Sequence, residues 1–461
     1  MKQEQLIALC KRHAAVLLGS NADTLNIAVI GEPGQEFLDA LRFATQKNID
    51  IECWSQERMD KHLHMATQTH LPAVSAGSAS AVELLNQTLE QAQLQRASDI
   101  HFEPYAGQLR VRLRVDGVLH LLTCIPAELV ATITARLKVL GNLDIAERRV
   151  PQDGQFTVEL AGKSVSFRIA TLPGRNGEKV VLRLLHQVEQ ALDIQTLGMA
   201  TRQLEAFRSA LNMPQGLLLV TGPTGSGKTV TLYSALQALN APTVNICSVE
   251  DPVEIPLEGI NQTQINSRTG LTFQNVLRAL LRQDPDIIMV GEIRDGETAE
   301  IAIKAAQTGH LVLSTLHTNS TTEALVRLQQ MGVARWMLSS SLLLVIAQRL
   351  VRKLCPYCRQ RIGEHPALPS SLWPRALPRW QANGCDRCYH GFYGRIALFE
   401  VLELDSELHQ AIAGEESAAE IEVLARRGGM TTLFENGCLA VEQGLTSQEE
   451  LLRVLGTPHG R

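Results

Sequence analysis

The stretch of this chain with the clearest chemical potential is GPTGSGKT, at residues 222–229. It follows the apolar run LLLVT and precedes TVTLYSALQAL, which predicts a loop between a strand and a helix. Glycines in such a loop permit positive-φ turns and let backbone N–H groups surround an anion. Lys228 is placed to reach the β- and γ-phosphates and Thr229 to ligate Mg²⁺, so ATP and Mg²⁺ are the predicted ligands. The predicted phosphate-binding residues are Gly222, Pro223, Thr224, Gly225, Ser226, Gly227, Lys228 and Thr229.

Two acidic stretches, SVEDPVE at 248–254 and GEIRDGE at 291–297, continue or follow short apolar runs. The carboxyl ends of strands line the ligand crevice of an open α/β sheet, so Glu250 and Glu292 can face the same triphosphate. A carboxylate there can hold a magnesium-bound water or orient the attacking water. Glu292 is one methylene longer than Asp and follows a Gly, which suits reach through a water. The alternative is that Glu292 only caps a core strand.

His317, in STLHTN, follows a further apolar run and is predicted at the matching end of a fourth strand. It could contact the γ-phosphate or relay its loss, but a lone His is more often structural. Arg168 and Arg183 lie in KSVSFRIATLP and EKVVLRLL, two segments with strand-like alternation. On alternation alone, a solvated sheet face explains these arginines as well as a catalytic role does.

Four of the nine cysteines form two C-x2-C pairs, CPYC at 355–358 and CDRC at 385–388. Each spacer lets two thiolates face one ion, and four thiolates complete a tetrahedral shell around zinc. A shell closed by protein ligands leaves no open position, so the predicted Zn²⁺ is structural. A redox pair or unconnected thiols are the alternatives. The predicted zinc ligands are Cys355, Cys358, Cys385 and Cys388.

The elements that must position these residues are predicted from hydrophobic patterning. Helical stretches separate four continuous apolar runs, which are GLLLVTG, VNICSVE, DIIMVGE and HLVLSTLH. This arrangement is typical of a mostly parallel sheet covered on both faces. Upstream, QLRVRLRVDG alternates polar and apolar residues as a half-buried strand does. The predicted fold class is therefore α/β.

Composition excludes several classes of protein. The 461 residues carry 43 basic and 48 acidic side chains and only 4% aromatics, and no polybasic block occurs, so no nucleic-acid partner is expected. The N-terminal MKQEQLIALCKRH carries charges throughout and lacks the apolar core of a secretory signal. The longest apolar runs, such as LLLVIA at 342–347, fall far short of the ~18 residues that cross a bilayer. We expect a cytosolic protein whose thiols stay reduced.

Four motifs of this chain resemble, in their order, those of the type II secretion and type IV pilus assembly ATPases, in the secretion-traffic ATPase superfamily. They are TGPTGSGKT, VEDPVE, LLRQDPDIIMVGEIRDGETA and TGHLVLSTLHTN. Upstream, ASDIHFEP, RVRLRVDG, RRVPQDGQ and TLPGRNGEKVVLRLL are similar to the second N-terminal domain of that family. The resemblance extends over nearly all of the chain from residue 80 onward. The paired cysteines resemble the insert of the assembly and secretion branch, which pilus-retraction relatives generally lack.

The resemblance implies a homo-hexameric ring with ATP bound between the second N-terminal domain and a RecA-like domain. It implies that Glu292 is the Walker-B glutamate handling water, that Glu250 lies in the acidic Asp box, and that His317 lies in the His box. Four arginines match residues that the family directs at phosphates or at neighbouring subunits, where a guanidinium offers bidentate donors. They are Arg168, Arg183, Arg278 and Arg282.

Patterning, composition and the resemblance together predict the domain organisation. From Val82 to Ala97 the apolar spacing is helical, with Ser80 as a possible N-cap. The predicted segments are a small α/β partner-docking module at 1–65, a linker at 66–80, a second N-terminal α/β (PAS-like) domain supplying arginines at 81–190, a RecA-like P-loop ATPase core at 191–350, a tetracysteine zinc insert at 351–395 and a C-terminal helical segment at 396–461.

The predicted function is an ATP-hydrolysing hexameric motor. It would associate peripherally with an inner-membrane platform protein and power assembly of a type IV pilus or a type II secretion pseudopilus. Three alternatives remain open at this point. The first is a retraction motor of the same fold, the second is a nucleic-acid translocase, and the third is a nucleotide-binding scaffold that does not turn over.

Overall fold

The computed structural model describes residues 15–20, 24–30, 33, 37, 41, 45, 48–54, 80–105, 107–160, 162–185, 192–370, 372–414 and 416–457. The predicted linker at 66–80, apart from Ser80, lies outside the described residues. The chain divides into two compact units. The first unit comprises Met1–Gln93, Asp99–Leu113 and Leu119–Arg183. The second unit comprises Leu94–Ser98, Arg114–Val118 and Leu184–Arg461.

The N-terminal part of the first unit contains a small three-stranded sheet in the order β1-β2-β3. Its strands are Ala15–Ser20, Thr24–Ile30 and Asn48–Trp54. β2 runs antiparallel to β1 and parallel to β3. Leu25, Ile27 and Val29 alternate along β2 and pack with Phe37 and Leu41 in a separate core, as the period of a strand requires.

A six-stranded sheet follows, in the order β6-β5-β4-β9-β8-β7. Its strands are β4 Ala97–Tyr105, β5 Gln108–Val115, β6 Val118–Pro126, β7 Gln152–Leu160, β8 Lys163–Gly174 and β9 Gly177–Leu185. Helix α1 (Ala81–Leu94) precedes the sheet, and α2 (Ala127–Leu140) connects β6 to β7. The predicted Ser80 cap is confirmed, because its hydroxyl accepts a hydrogen bond from the backbone N–H of Glu83 at 3.3 Å.

β5 shows the predicted alternation of buried and partly exposed residues. On its polar face, Arg110 and Arg112 both donate to Glu103, and Lys179 lies 2.9 Å from the same carboxylate. Burial acts to raise the pKa of Glu103, but the hydrogen bonds and charges of Arg112 and Lys179 lower it to about 2. Two of the strand arginines are therefore held by an internal acid.

The second unit is organised around a seven-stranded sheet in the order β12-β11-β13-β14-β10-β15-β18. The four apolar runs form β10, β11, β13 and β14, and these strands are parallel, as predicted. The strands of this sheet are β10 Gly216–Thr221, β11 Ile246–Glu250, β12 Asn261–Gln264, β13 Ile287–Val290, β14 Leu311–Leu316, β15 Leu342–Leu354 and β18 Phe392–Glu403.

Helices cover both faces of this sheet and enclose two apolar cores. Several of them begin at a side-chain cap that accepts a hydrogen bond from a backbone N–H of the first turn; the capping residues are Thr272, Asp295, Ser320, Asp405 and Ser417. The helices up to residue 341 are α3 Thr201–Leu211, α4 Lys228–Leu239, α5 Phe273–Leu280, α6 Gly296–Gln307, α7 Thr321–Gln330 and α8 Arg335–Ser341. Short 3-10 turns occupy Ile194–Thr196 and Ser267–Thr269.

Two strands of the central sheet run across the predicted segment boundaries at 350 and 396. β15 continues to Leu354, and residues 396–403, predicted as helical, are the second half of β18. β18 pairs antiparallel with β15 over most of its length, so the central sheet gains a strand from beyond the insert. The physical reason is edge protection, because β15 would otherwise expose a long row of unpaired backbone groups.

The C-terminal segment after β18 is helical, as predicted, with α9 Ser406–Ala413, α10 Ala418–Arg427, α11 Leu433–Glu442 and α12 Gln448–Leu455. Between β15 and β18, a two-stranded antiparallel sheet is formed by β16 (Arg359–Glu364) and β17 (Pro378–Ala382). Within the described parts of the chain, none of the helices combines the length and the hydropathy that crossing a bilayer requires.

Candidate active site

The loop predicted to bind phosphate lies between β10 and α4 at the carboxyl edge of the central sheet. β10 is buried along its whole length, and α4 begins at Lys228 behind Gly227, which has a φ of 89°. Gly222 adopts a φ of 152°, and a Cβ there would lie 2.5 Å from the Gln348 carbonyl oxygen. The first glycine of the loop is therefore required both by conformation and by the close approach of β15.

Lys228 folds back over this loop. Its Nζ donates to the carbonyl oxygens of Gly222 at 2.7 Å and Pro223 at 3.1 Å. Burial lowers the pKa of Lys228 to about 8, while the negative charge of Glu292 acts to raise it and the positive charge of Arg349 to lower it. The amine is therefore a partly desolvated cation held at the mouth of the loop.

The other loop residues differ in their exposure to solvent. Ser226 is buried and its Oγ has no hydrogen-bond partner, whereas Pro223, Thr224, Gly225 and Thr229 are exposed. Thr229 follows Lys228 in the first turn of α4 and is exposed. An oxygen donor there is of the type that Mg²⁺ prefers, and the residues present fit that ion.

Glu292 follows β13 and comes together with His317, which follows β14, as the neighbouring strand ends predict. Glu292 Oε2 lies 3.3 Å from His317 Nε2, and Arg294 donates to Oε1 of the same carboxylate. Burial acts to raise the pKa of Glu292, but the hydrogen bonds and charges of Arg294 and His317 hold it below its ordinary value. The carboxylate is therefore ionised at neutral pH and can only accept hydrogen bonds.

Glu250, at the end of β11, is buried within a network of its own. Its carboxylate accepts hydrogen bonds from Tyr233 of α4, from Ser248 at 2.6 Å and from Gln262 at 3.1 Å. These partners connect the phosphate-loop helix to β11 and β12. The geometry suits a residue that orients its neighbours, and a direct part for Glu250 in catalysis remains a prediction.

The four predicted arginines divide between the two units. Arg278 of α5 pairs with Glu297 at 2.5 Å, and Arg282 donates to the Arg278 carbonyl oxygen at 3.0 Å, both within the second unit. In the first unit, Arg168 is exposed on β8, and Arg183 of β9 pairs with Asp99 at 3.0 Å while 61% of its side chain stays exposed. Exposed guanidiniums of this kind remain available to a phosphate or a second subunit, and that role stays a prediction.

Several residues of this site were missed by the sequence analysis. Gln348 accepts a hydrogen bond from Thr231 of α4 at 2.7 Å, and Arg349 lies beside Gly222. Thr318 and Thr221 share a hydrogen bond of 2.7 Å between their hydroxyl oxygens, which joins the loop after β14 to the end of β10. The signal for Gln348 and Arg349 was present as polar residues directly after the apolar run LLLVIA, beside a predicted sheet.

The four predicted zinc ligands come together at one point. The Sγ atoms of Cys355, Cys358, Cys385 and Cys388 all lie within 4.8 Å of one another. The distances are 3.8 Å for Cys355–Cys385, 3.6 Å for Cys358–Cys388 and 3.6 Å for Cys385–Cys388. Zinc–sulfur bonds of ~2.3 Å in a tetrahedron place sulfurs about 3.8 Å apart, so the cluster fits zinc.

The sequence profile of one protein family, described as type II/IV secretion system protein, matches residues 74–453. The chain belongs to this family. The family predicted from the motifs is therefore confirmed.

Among relatives of this type II/IV secretion system protein, the protein transport protein HofB homolog of Escherichia coli (strain K12) is 66% identical over the whole of both chains. The type IV pilus assembly ATPase PilB of Acinetobacter baylyi is 42% identical, with 97% of this chain and 83% of that protein covered. The type II secretion system protein E of Pseudomonas aeruginosa is 47% identical, with 82% and 76% covered.

Solved structures confirm the fold class. The pilus retraction motor PilT with bound ADP aligns with a TM-score of 0.55 at 26% identity, covering 81% of this chain and 97% of that chain. The Legionella pneumophila ATPase DotB aligns with a TM-score of 0.60 at 22% identity, covering 82% and 96%, and shows the fold alone. The α/β ATPase fold is thus confirmed, whereas the PAS-like character of the preceding domain remains a prediction.

Proposed function

We propose that this chain is a Mg²⁺-dependent ATPase that works as a homo-hexamer and powers assembly of a type IV pilus or a type II secretion pseudopilus. The single observation that carries the proposal is the meeting of Lys228, Glu292 and His317 at the carboxyl edge of one sheet in a type II/IV secretion system protein. The names of its relatives, which include a pilus assembly ATPase and a secretion protein, set the biological setting.

The division of labour follows from the geometry. Backbone N–H groups of the glycine loop and the start of α4 bind phosphate oxygens, and Lys228 leaves its carbonyl partners to join them. Glu292 is ionised and buried on one side, so its oxygen accepts a hydrogen bond from water and orients it toward the terminal phosphate. His317, 3.3 Å from that carboxylate, is placed to register whether the phosphate is present. The products are ADP and phosphate.

Mg²⁺, when bound, would neutralise charge on the phosphates, with the Thr229 hydroxyl as its candidate ligand. A structural Zn²⁺ would be held by the four cysteines, whose spacing suits it. Arg168, Arg183, Arg278 and Arg282 would supply further positive charge from the second N-terminal domain or across subunits of the ring.

The first test is phosphate release by purified protein, with Mg²⁺ and with EDTA. The parent is expected to hydrolyse ATP only with Mg²⁺, and Lys228→Ala is expected to abolish hydrolysis. Glu292→Gln is expected to lose most of the activity. Glu300→Gln is its matched control and should hydrolyse ATP like the parent, because Glu300 is an exposed residue of α6 paired with Lys304 and its replacement removes the same charge. A folded parent that releases no phosphate would leave only a nucleotide-binding scaffold.

A second test addresses partner and place. We propose that the ring docks at the cytoplasmic face of the inner membrane on a platform protein, through the segment at 1–65. Co-purification with the intact platform protein is expected for the full chain and not for a chain lacking residues 1–65. Stimulation of hydrolysis by single-stranded DNA, with a steep dependence on salt, would instead favour a nucleic-acid translocase.

A further inference from the structure

Arg349 of β15 is a buried cation beside the phosphate loop that no sequence motif singled out. β15 runs parallel to β10 with Thr221 opposite Ala347, so β15 continues past the end of β10 and along the loop. Arg349 is only 7% exposed there. Its place in the sheet therefore puts a permanent positive charge next to the site where phosphate is expected.

The partners of Arg349 are neutral. One guanidinium nitrogen donates to the Gln348 carbonyl oxygen at 3.0 Å, and the other donates to Asn319 Oδ1 at 2.9 Å. Among the residues that the structure describes, no carboxylate lies within ion-pair distance of it. Burial lowers the pKa of Arg349, and the charges of Glu323 and Glu400 act against this from a longer range. A buried cation without a close counter-ion is costly, and an anion bound at the phosphate loop would offset that cost.

The guanidinium contacts both walls of the candidate active site. A Cβ on Gly222 would lie 3.2 Å from an Arg349 nitrogen, so the side chain packs directly against the first residue of the phosphate loop. Asn319 belongs to the short loop after β14 that also carries His317. The same loop is bound to the end of β10, where the Thr318 N–H donates to Thr221 Oγ1 at 2.9 Å.

We propose that Arg349 is a positioning residue of the ATP site, which fixes the spacing between the phosphate loop and the His317 loop and adds a buried positive charge beside the phosphates. This inference rests on the proposed ATPase function. The two contributions are separable, because charge near the phosphates acts on nucleotide affinity, whereas the bridge to Asn319 acts on the arrangement needed for hydrolysis.

The experiment measures ADP affinity by calorimetry and steady-state ATP hydrolysis for Arg349→Gln, Arg349→Lys and Asn319→Ala. Arg349→Gln removes both the positive charge and the planar guanidinium with its two donor nitrogens. ADP affinity is therefore expected to fall about ten-fold and kcat at least as much, which is the usual effect of losing one charge-assisted hydrogen bond. Arg349→Lys keeps the charge without the planar fork, so ADP affinity stays within about three-fold of the parent while kcat falls about ten-fold. Asn319→Ala is expected to lower kcat and leave ADP affinity unchanged.

A double-mutant cycle tests the bridge itself. Arg349→Lys combined with Asn319→Ala is expected to lower kcat no further than the more severe single variant, because both remove one contact. Arg352→Gln is the matched control, since it removes the same charge from the same strand but its guanidinium faces Glu450. It is expected to lower the unfolding midpoint and to leave ADP affinity and kcat as in the parent.

The inference is overturned if folded Arg349→Gln binds ADP and hydrolyses ATP like the parent. It is also overturned if Arg349→Lys and Asn319→Ala leave kcat unchanged, which keeps the test decisive should Arg349→Gln not fold. Additive losses in the double variant would likewise contradict a shared contact. A parent that hydrolyses no ATP overturns the proposed function instead, so the two failures are distinguishable.

Discussion

The phosphate site and the tetracysteine site, both in the second unit, are built in different ways. The tetracysteine site draws its four side chains from two C-x2-C turns, one after β15 and one before β18, and these two strands are paired. The phosphate site begins with a local motif but takes Glu292, His317 and Arg349 from three other strands. A site made of turns is defined by its motif, whereas a site on a sheet edge is defined by strand order.

The two sites are also held in place by different parts of the structure. The part of the insert near the cysteines has little regular structure, since β16 and β17 form a sheet of only two strands. The middle of the insert is held separately, because Trp373 and Trp380 pack with the C-terminal helices and donate hydrogen bonds to Glu442 and to the Val441 carbonyl oxygen. The phosphate loop is instead fixed by a seven-stranded sheet with helices on both faces. Loss of the metal should therefore loosen the turns that carry the cysteines, whereas loss of one side chain at the phosphate site should alter chemistry and leave the fold intact.

The largest effect is expected from losing zinc. Cys385→Ser removes one of four thiolates, and structural zinc sites contribute on the order of 10 kcal/mol of binding free energy. We expect one zinc per chain in the parent, none in the variant, and new proteolytic cleavage within residues 356–391. Zinc content and limited proteolysis measure this.

Cys124→Ser is the control for the zinc prediction, because Cys124 is an exposed cysteine outside the cluster. It should retain zinc and protease resistance. A zinc-free parent whose insert resists protease would show that packing against the C-terminal helices holds this region without a metal, and the comparison between the two sites would fail.

The next largest effect is expected for Glu292→Gln. An amide cannot act as the ionised acceptor for water, so kcat should fall by about 10²- to 10⁴-fold, the usual contribution of a general base. ATP affinity should stay close to that of the parent, because Lys228 and the loop remain. Phosphate release and equilibrium ATP binding measure the two quantities. Equal losses in both would mean that Glu292 supports the loop and does not act on water.

A stability effect of intermediate size is expected for Glu450→Gln. Glu450 of α12 is 2% exposed and accepts hydrogen bonds from Arg352 at 2.7 Å and Arg453 at 2.7 Å. Burial acts to raise its pKa, but these hydrogen bonds and the Arg352 charge lower it to about 2. The free energy of unfolding of the variant should be roughly 3 kcal/mol lower than that of the parent at pH 7, because the pKa of Glu450 in the folded state lies well below that of a glutamate in the unfolded chain.

The pH dependence of that loss has a definite sign. A carboxylate whose pKa is lowered by folding stabilises the folded state above its unfolded pKa and loses this contribution as pH falls. The parent should therefore exceed Glu450→Gln in stability at pH 7, and the two denaturation curves should converge between about pH 5 and pH 2. A constant difference over that range would contradict the ion-pair account.

The smallest effect is expected for Thr231→Val. The Thr231 hydroxyl donates to Gln348 Oε1 at 2.7 Å in a buried position, so its removal should cost about 1 kcal/mol. Thr157→Val is the control, because its 2.8 Å hydrogen bond to Ser166 is exposed and should matter less. Urea denaturation compares the two. Equal values would mean that the contact between β15 and α4 adds no more than a surface bond.

Much of this arrangement could be predicted because local patterns carry it. The four apolar runs predict β10, β11, β13 and β14, and the two cysteine pairs predict a cluster that the structure brings together. The loop at 222–229 is predicted with its flanking strand and helix. The neighbouring ends of β13 and β14 then place Glu292 beside His317.

The features that could not be predicted depend on contacts between segments that are distant in the sequence. β18 joins β15 across the insert, so no local signal distinguishes residues 396–403 from the helices that follow. Arg349 and Gln348 reach the loop only because β15 lies next to β10. Glu250 is held by partners from α4 and β12, which sequence spacing does not bring together.

A crystal structure with Mg²⁺ and a non-hydrolysable ATP analogue would show directly whether the loop at 222–229 binds nucleotide beside Glu292. We expect phosphate oxygens hydrogen-bonded to backbone N–H groups of residues 225–229 and to Lys228, and we expect the structure to hold the nucleotide in that loop. We also expect the Glu292 carboxylate to face the terminal phosphate, with a water between them. A loop without nucleotide at saturating analogue, or Glu292 turned away into solvent, would contradict the proposed ATP site.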